Sequence, residues 1–259
     1  MEQSCLFLFL FILYSTGTIK SERYTIDRKS LYKTVSLYFI ESILSSIVHS
    51  QNRTGQLFTL RVFDFVCSFT LLLLIREKET EKTTISTKHM ILLSLFASFS
   101  WFELGQMEYT SVSLLITPFY HIMRAFRIMS LKESYKKEYT IESYGLVYSG
   151  LNTISLFIPA LISFTSSQIQ ITASWESIDY VLISLCPIWF AVSLYAQIWM
   201  ITHIRIHQLI ISDHSMMSLA SYGQFILQNM AHPSIIALSA KILYIATFIR
   251  NYALISLYE

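Results

Sequence analysis

The sequence predicts an all-α protein, a polytopic transmembrane helix bundle of about eight spans. Three observations carry that reading. Apolar runs near the length that crosses a bilayer recur along the chain. Hydrophobic residues make up 53% of the sequence and charged ones only 14%, less charge than a soluble core domain of this length carries. The basic residues sit in short clusters on alternate connectors between the runs, the asymmetry that orients helices in a membrane.

The same figures exclude other classes. A net charge of +2, dispersed in short clusters, gives no surface for nucleic acid. Four prolines and six glycines leave little for long linkers. Cys5, Cys67 and Cys186 are odd in number, and the last two lie in apolar runs, which argues against a disulfide framework.

Taken in order, residues 5–14 form a short apolar run of signal-peptide length. Glu2 precedes it, no Lys or Arg does, and no small-residue cleavage site follows, so it reads as retained. With the basic stretch Lys20, Arg23, Arg28, Lys29 and Lys33, it makes residues 1–34 an N-terminal cytoplasmic segment, and 35–259 the helix bundle. The first span, 35–50, carries Glu41, a candidate proton-coupling carboxylate or a helix-packing group. Asn52-Arg53-Thr54 fits a glycosylation sequon. Span 57–75 holds Arg61 and Asp64 at i, i+3, a spacing that lets them pair. Residues 76–82 alternate in sign and read as a solvated loop.

Span 90–104 and a turn at 105–108 lead to the most informative stretch, 109–128. Thr110, Ser111, Ser113 and Thr117 are small and hydroxylic, which lets helices approach closely in lipid. Pro118 interrupts the middle, where neighbours must satisfy the freed carbonyl. His121 and Arg124 then share a face one turn apart, and polar groups inside an apolar span usually face a bundle interior or a solute path. Arg127 marks the cytoplasmic end of the helix. A basic connector precedes spans 144–164, 180–202, the weaker 209–230 (broken by Ser212-Asp-His-Ser215) and 234–257. With the amino terminus in the cytoplasm, segments 20–34, 76–89, 129–143 and 203–208 are cytoplasmic and hold nearly all the loop Lys and Arg, while the opposite loops hold only Arg53.

His203 and His207 stand i, i+4, with Asp213 and His214 beyond, a spacing compatible with a metal on one helix face. No further ligand pattern joins them, so they read as interfacial residues, and no metal or cofactor is expected. The four tryptophans fall mostly near span ends, where aromatic belts form. No phosphate-cradling glycine loop, paired catalytic carboxylates or Ser/His/Asp order is present, so no enzyme is expected.

Pro118-Phe-Tyr-His-Ile-Met-Arg-Ala-Phe-Arg-Ile128 resembles the fourth helix of nucleotide-sugar transporters in the drug/metabolite transporter superfamily. The stretch from Tyr139 to Pro159, with Gly145-Leu-Val-Tyr148, is similar to that family's seventh helix, and 242–258 is similar to its last. The resemblance implies a shortened form of a ten-helix inverted-repeat bundle, lacking two helices. It implies membrane transport of a nucleotide sugar or related phosphorylated solute by alternating access, as an antiporter in the Golgi or endoplasmic reticulum membrane. The family's Phe-Tyr-Asn-Asn motif becomes Val147-Tyr-Ser-Gly150 here, retaining only Tyr148. Its lysine-bearing Gly-Ala-Leu-Asn-Lys motif has no lysine counterpart in 217–225. The resemblance gives substrate binding to Tyr120, Arg124, Tyr148 and Asn152. A ring and an amide suit a base or ribose, and a guanidinium takes phosphate in a two-pronged contact. The partners are then the phosphorylated solute, the bilayer and, for a dimeric carrier, a second copy. Two alternatives stay open: an orphan multi-span receptor of chemoreceptor type at the plasma membrane, and a degenerate carrier fragment that does not transport.

The topology makes one prediction. In a cysteine-free background, single cysteines replacing Lys78 and Gln170 should be labelled by an impermeant maleimide from opposite sides of the membrane. Labelling of both from one side would overturn the eight-span arrangement.

Overall fold

The computed structural model describes residues 2–19, 27–51, 61–76, 87–101, 110–135, 140–166, 177–215 and 235–258. All regular secondary structure among them is helical. The helices are α1 (Glu2–Ser15), α2 (Arg28–Gln51), α3 (Asp64–Arg76), α4 (Thr87–Phe99), α5 (Ser111–Ser134), α6 (Ile141–Ser166), α7 (Ser177–His203), α8 (residues 206–215) and α9 (Ile235–Tyr258). The all-α class is therefore observed. Two helices, α2 over Arg28–Val48 and α7 over Leu185–His203, are long and apolar enough to cross a membrane. The sequon at Asn52, the turn at 105–108, the loops at 77–86 and 167–176 and the segment 217–225 lie outside the described residues.

Local chemistry explains most helix limits. Asp27 accepts the backbone N–H of Lys29 at 3.2 Å and so caps α2, starting it seven residues before the span read from hydropathy. Thr110 accepts the N–H of Ser113 at 3.1 Å, and Thr140 that of Ser143 at 3.4 Å. Both are N-caps, each satisfying a donor that the first helical turn leaves open. The α1 helix closes in a Schellman arrangement. Gly17 takes φ 74°, its N–H bonds the Tyr14 carbonyl at 3.0 Å, and that of Thr18 bonds the Leu13 carbonyl at 3.0 Å. The ammonium of Lys132 donates to the Ile204 carbonyl just past α7 at 2.7 Å, a favourable cation position. Helix α5 continues through Pro118.

The chain divides into two compact units. One comprises Met1–Phe39 and Arg127–Ile204, the other Ile40–Phe126 and Arg205–Glu259. In the first, α1 packs on α6 and α7. The apolar run of residues 5–14, too short to read as a span, is thus a packed helix with Leu6 and Leu10 buried. Glycines on α6 make room for it. A Cβ at Gly150 would stand 3.0 Å from the Phe7 ring, and one at Gly145 3.2 Å from Leu10 Cδ1. Thr34 and Ser130 share a buried hydrogen bond of 2.8 Å.

In the second unit, α4 packs against α3 and α9. Leu93, Ala97 and Tyr244 form its apolar nucleus, flanked by Phe96, Ile211 and Phe248. The Ser98 hydroxyl accepts the backbone N–H of Phe65 at 2.9 Å, which satisfies a donor in the first turn of α3.

Parts of α5 and α6 turn small and polar residues inward and apolar ones outward. On α5 the inward residues are Ser113, Thr117 and His121, all buried, while Leu115 is 67% and Phe119 55% exposed. On α6, Tyr148, Ser149 and Asn152 are buried and Ile154 and Phe157 exposed. On α9, Lys241 is buried and Ile242 and Ile249 exposed.

The α1–α6 contact can be tested by Gly150→Val. It should destabilise the purified protein by about 1–3 kcal/mol through overpacking, read as a lowered melting temperature in detergent. Adding Phe7→Ala should recover part of the loss. An unchanged melting temperature in the single variant would mean that α1 does not sit on Gly150.

Candidate functional site

The second unit holds an ionic cluster centred on Arg124, in which Asp64 and His121 are buried. Its Nη1 donates to Asp64 Oδ1 at 2.7 Å, and its Nη2 to Asp213 Oδ2 at 3.4 Å. Asp64 Oδ1 also lies 3.2 Å from His121 Nδ1. Arg61 Nη1 is 3.9 Å from Asp64 Oδ2. The side chains differ sharply in access: Asp64 is 2% exposed, Arg124 15%, Arg61 32% and Asp213 42%.

Three helices build this arrangement. Asp64 begins α3, where a carboxylate is favoured by the helix N-terminus. His121 and Arg124 come from the inward face of α5, below Ser113 and Thr117. Asp213 comes from α8, whose position is set by its neighbour. His214 is wholly buried, and its Nε2 lies 2.9 Å from Ser68 Oγ on α3 and 2.8 Å from Ser94 Oγ on α4. Ser94 directs its own proton to the Met90 carbonyl at 2.8 Å, so its oxygen accepts and the imidazole hydrogen sits on Nε2. Beside the buried Ile206, Leu209 and Ile210, this polar contact fixes α8 in the core.

Sequence reasoning found Arg124 and Asp64 but paired Asp64 with Arg61. That i, i+3 contact exists at the outer limit of an ion pair, whereas the close partner is Arg124 on another helix. Sequence reasoning missed Asp213 as a member of the cluster. The motif Ser212-Asp-His-Ser215 was legible as polar residues breaking an apolar run, but nothing local indicated which helices they meet. Tyr120 packs edge-on against the His121 ring, with centroids 5.0 Å apart.

The other two residues expected to bind substrate, Tyr148 and Asn152, lie in the first unit, on α6. Tyr148 is fully buried, stacked on Tyr144 at 6.0 Å and edge-on to Tyr38 at 6.4 Å. Arg127, which the sequence placed at a cytoplasmic helix end, is buried with its guanidinium 5.5 Å above the Tyr38 ring. One turn beyond Tyr148, the Asn152 amide is fully buried, and neither its oxygen nor its nitrogen has a hydrogen-bond partner among the described residues. A buried amide left so costs about 1–3 kcal/mol. His203 stacks on Trp199 at 5.3 Å, and no group of three metal-ligating side chains occurs among the described residues.

The cluster predicts an asymmetry between variants. Asp64→Ala strands a buried cation and should cost roughly 3–5 kcal/mol. Asp64→Ala combined with Arg124→Ala should be less damaging than Asp64→Ala alone, whereas Asp64→Ala combined with Arg61→Ala should show no rescue. Thermal unfolding of the three purified variants checks this, and rescue through Arg61 would reverse the assignment.

The chain matches no protein-family model and none of the curated proteins with which it was compared.

Proposed function

We propose that the chain is a polytopic membrane carrier that moves an anionic phosphorylated solute, most specifically a nucleotide sugar, by alternating access. The observation that carries this is the Arg124 guanidinium, only 15% exposed and held between two carboxylates among helices that expose apolar residues. Large exposed apolar surface on a monomer calls for another apolar environment. On α5, α6 and α9 that surface is opposite to buried polar residues, the pattern expected where lipid lies outside and a solute path inside.

Charged groups in such a setting are costly, and their presence on an inward face is a default indication of function. A guanidinium offers five donors in a planar fork that matches phosphate oxygens. Arg124 therefore serves as the anion-holding group of its unit, with Tyr120 beside His121 at the same level of α5. Tyr148 and Asn152, on the other unit, are named as substrate-binding candidates by the sequence resemblance alone. Within their own unit, the hydrogen-bond-free amide of Asn152 supports a polar ligand at that position.

The test is uptake of a panel of radiolabelled nucleotide sugars into proteoliposomes containing only this protein. Wild type should accumulate at least one of them. Arg124→Lys keeps the charge that neutralises Asp64 but loses the fork, so it should cut kcat/KM by at least about tenfold with normal expression and melting temperature. Tyr148→Ala should raise KM. Absence of uptake of every nucleotide sugar by the wild type would remove the carrier reading, and wild-type uptake by both variants would remove these residues from the site.

A further inference from the structure

The two carboxylates on Arg124 are not equivalent, and the difference points to a displaceable counter-anion. Asp64 is held at 2.7 Å, is almost wholly buried, and has His121 and Arg61 as further neighbours. Asp213 reaches the opposite edge of the guanidinium at only 3.4 Å, and its side chain is 42% exposed. We infer that Asp213 is a tethered occupant of the anion site: it neutralises the Nη2 edge of Arg124 until a phosphate oxygen of the solute displaces it, and re-engages that edge when the solute leaves. This deepens the carrier reading and rests on it for the identity of the solute, but its anion chemistry can be tested separately.

The local structure suits exchange by one side chain. His214, adjacent in sequence, is clamped between Ser68 and Ser94, so the α8 backbone is anchored while the Asp213 side chain turns. Its release is inexpensive because a half-exposed carboxylate regains water, whereas releasing Asp64 would place an unpaired charge in the interior. Arg124 keeps its Asp64 contact in both states, so the site never holds an uncompensated cation. Among the described residues, Asp64 and Asp213 contact Arg124 directly, with His121 and Arg61 reached through Asp64. With Asp213 engaged, an approaching phosphate meets two carboxylates. With it withdrawn, the phosphate meets one carboxylate and a free guanidinium edge.

An internal competitor lowers apparent affinity and speeds release, because the site's affinity for the outside anion is reduced by the fraction of time the competitor occupies it. Asp213→Asn weakens the competitor and removes its like charge. Asp213→Glu keeps both charge and reach. The probe is inorganic pyrophosphate, titrated calorimetrically into the purified full chain in nanodiscs of phosphatidylcholine. Asp213→Asn should bind it about tenfold more tightly than wild type, Asp213→Glu should bind like wild type, and Arg124→Lys should bind it at least tenfold more weakly. In proteoliposomes that transport, Asp213→Asn should lower both KM and kcat, a split that a purely structural carboxylate would not produce.

Equal or weaker pyrophosphate binding by Asp213→Asn overturns the inference, even where wild type transports nucleotide sugars and the carrier reading stands. Tighter binding by that variant with no uptake of any nucleotide sugar by wild type has the opposite meaning: the displaceable anion stands and the carrier reading fails. Repeating the titration with phosphatidylglycerol added to the nanodiscs separates a soluble solute from a lipid headgroup. Loss of pyrophosphate binding there would assign the site to lipid and overturn the inference as stated.

Discussion

The contact on which the second unit depends is the 2.7 Å bond between Arg124 and Asp64. An apolar helix interior can hold a guanidinium only if an opposite charge meets it with good geometry, and breaking one partner leaves the other stranded. That requirement ties the start of α3 to the charged end of the α5 segment in this unit, elements far apart in sequence. Asp213 then brings in α8, and His214 fastens α8 to α3 and α4 through two serine hydroxyls. Beside the buried apolar side chains of α3, α4 and α8, polar contacts join these helices, individually modest but directional.

The first unit solves the same packing problem differently. Glycines on α6 let α1 approach, and a run of aromatic rings links Tyr135 through Tyr144 and Tyr148 to Tyr38. The hydroxyls of Ser134 and Tyr144 bond to each other, so the polar tip of that ring is satisfied. Arg127 ends the run over Tyr38, a cation on an aromatic face.

Much of this was legible in the sequence, for physical reasons that differ by residue. Helix positions followed roughly from apolar runs; of the small residues singled out on α5, Ser113 and Thr117 are buried, whereas Ser111 is exposed. Arg124 stood out because a charge inside an apolar run demands a partner. Its partner was not legible: Arg61 is near Asp64 in sequence, whereas Arg124 is sixty residues away, and only tertiary packing chooses between them. The packed role of α1 was hidden for a related reason. Hydropathy reads its length as too short for a span, but the glycines that receive it belong to α6. The break at Phe63, where the helix restarts with Asp64, also escaped a pattern that runs without interruption from 57 to 75.

Inverted faces and an asymmetric ion cluster constrain each other. Helices with apolar exteriors cannot expose Arg124 outward, so its charge must be neutralised within the unit, and at the proposed anion site a guanidinium neutralised too firmly would bind no ligand. A buried carboxylate meets the first demand and a half-exposed one relaxes the second. Asp64 and Asp213 divide these roles by burial alone, since their chemistry is identical. The same division explains why α8 is anchored through His214 and not through Asp213. An anchor must remain in place, and the uncharged contact of an imidazole with two hydroxyls remains in place whichever anion holds the outer edge of Arg124.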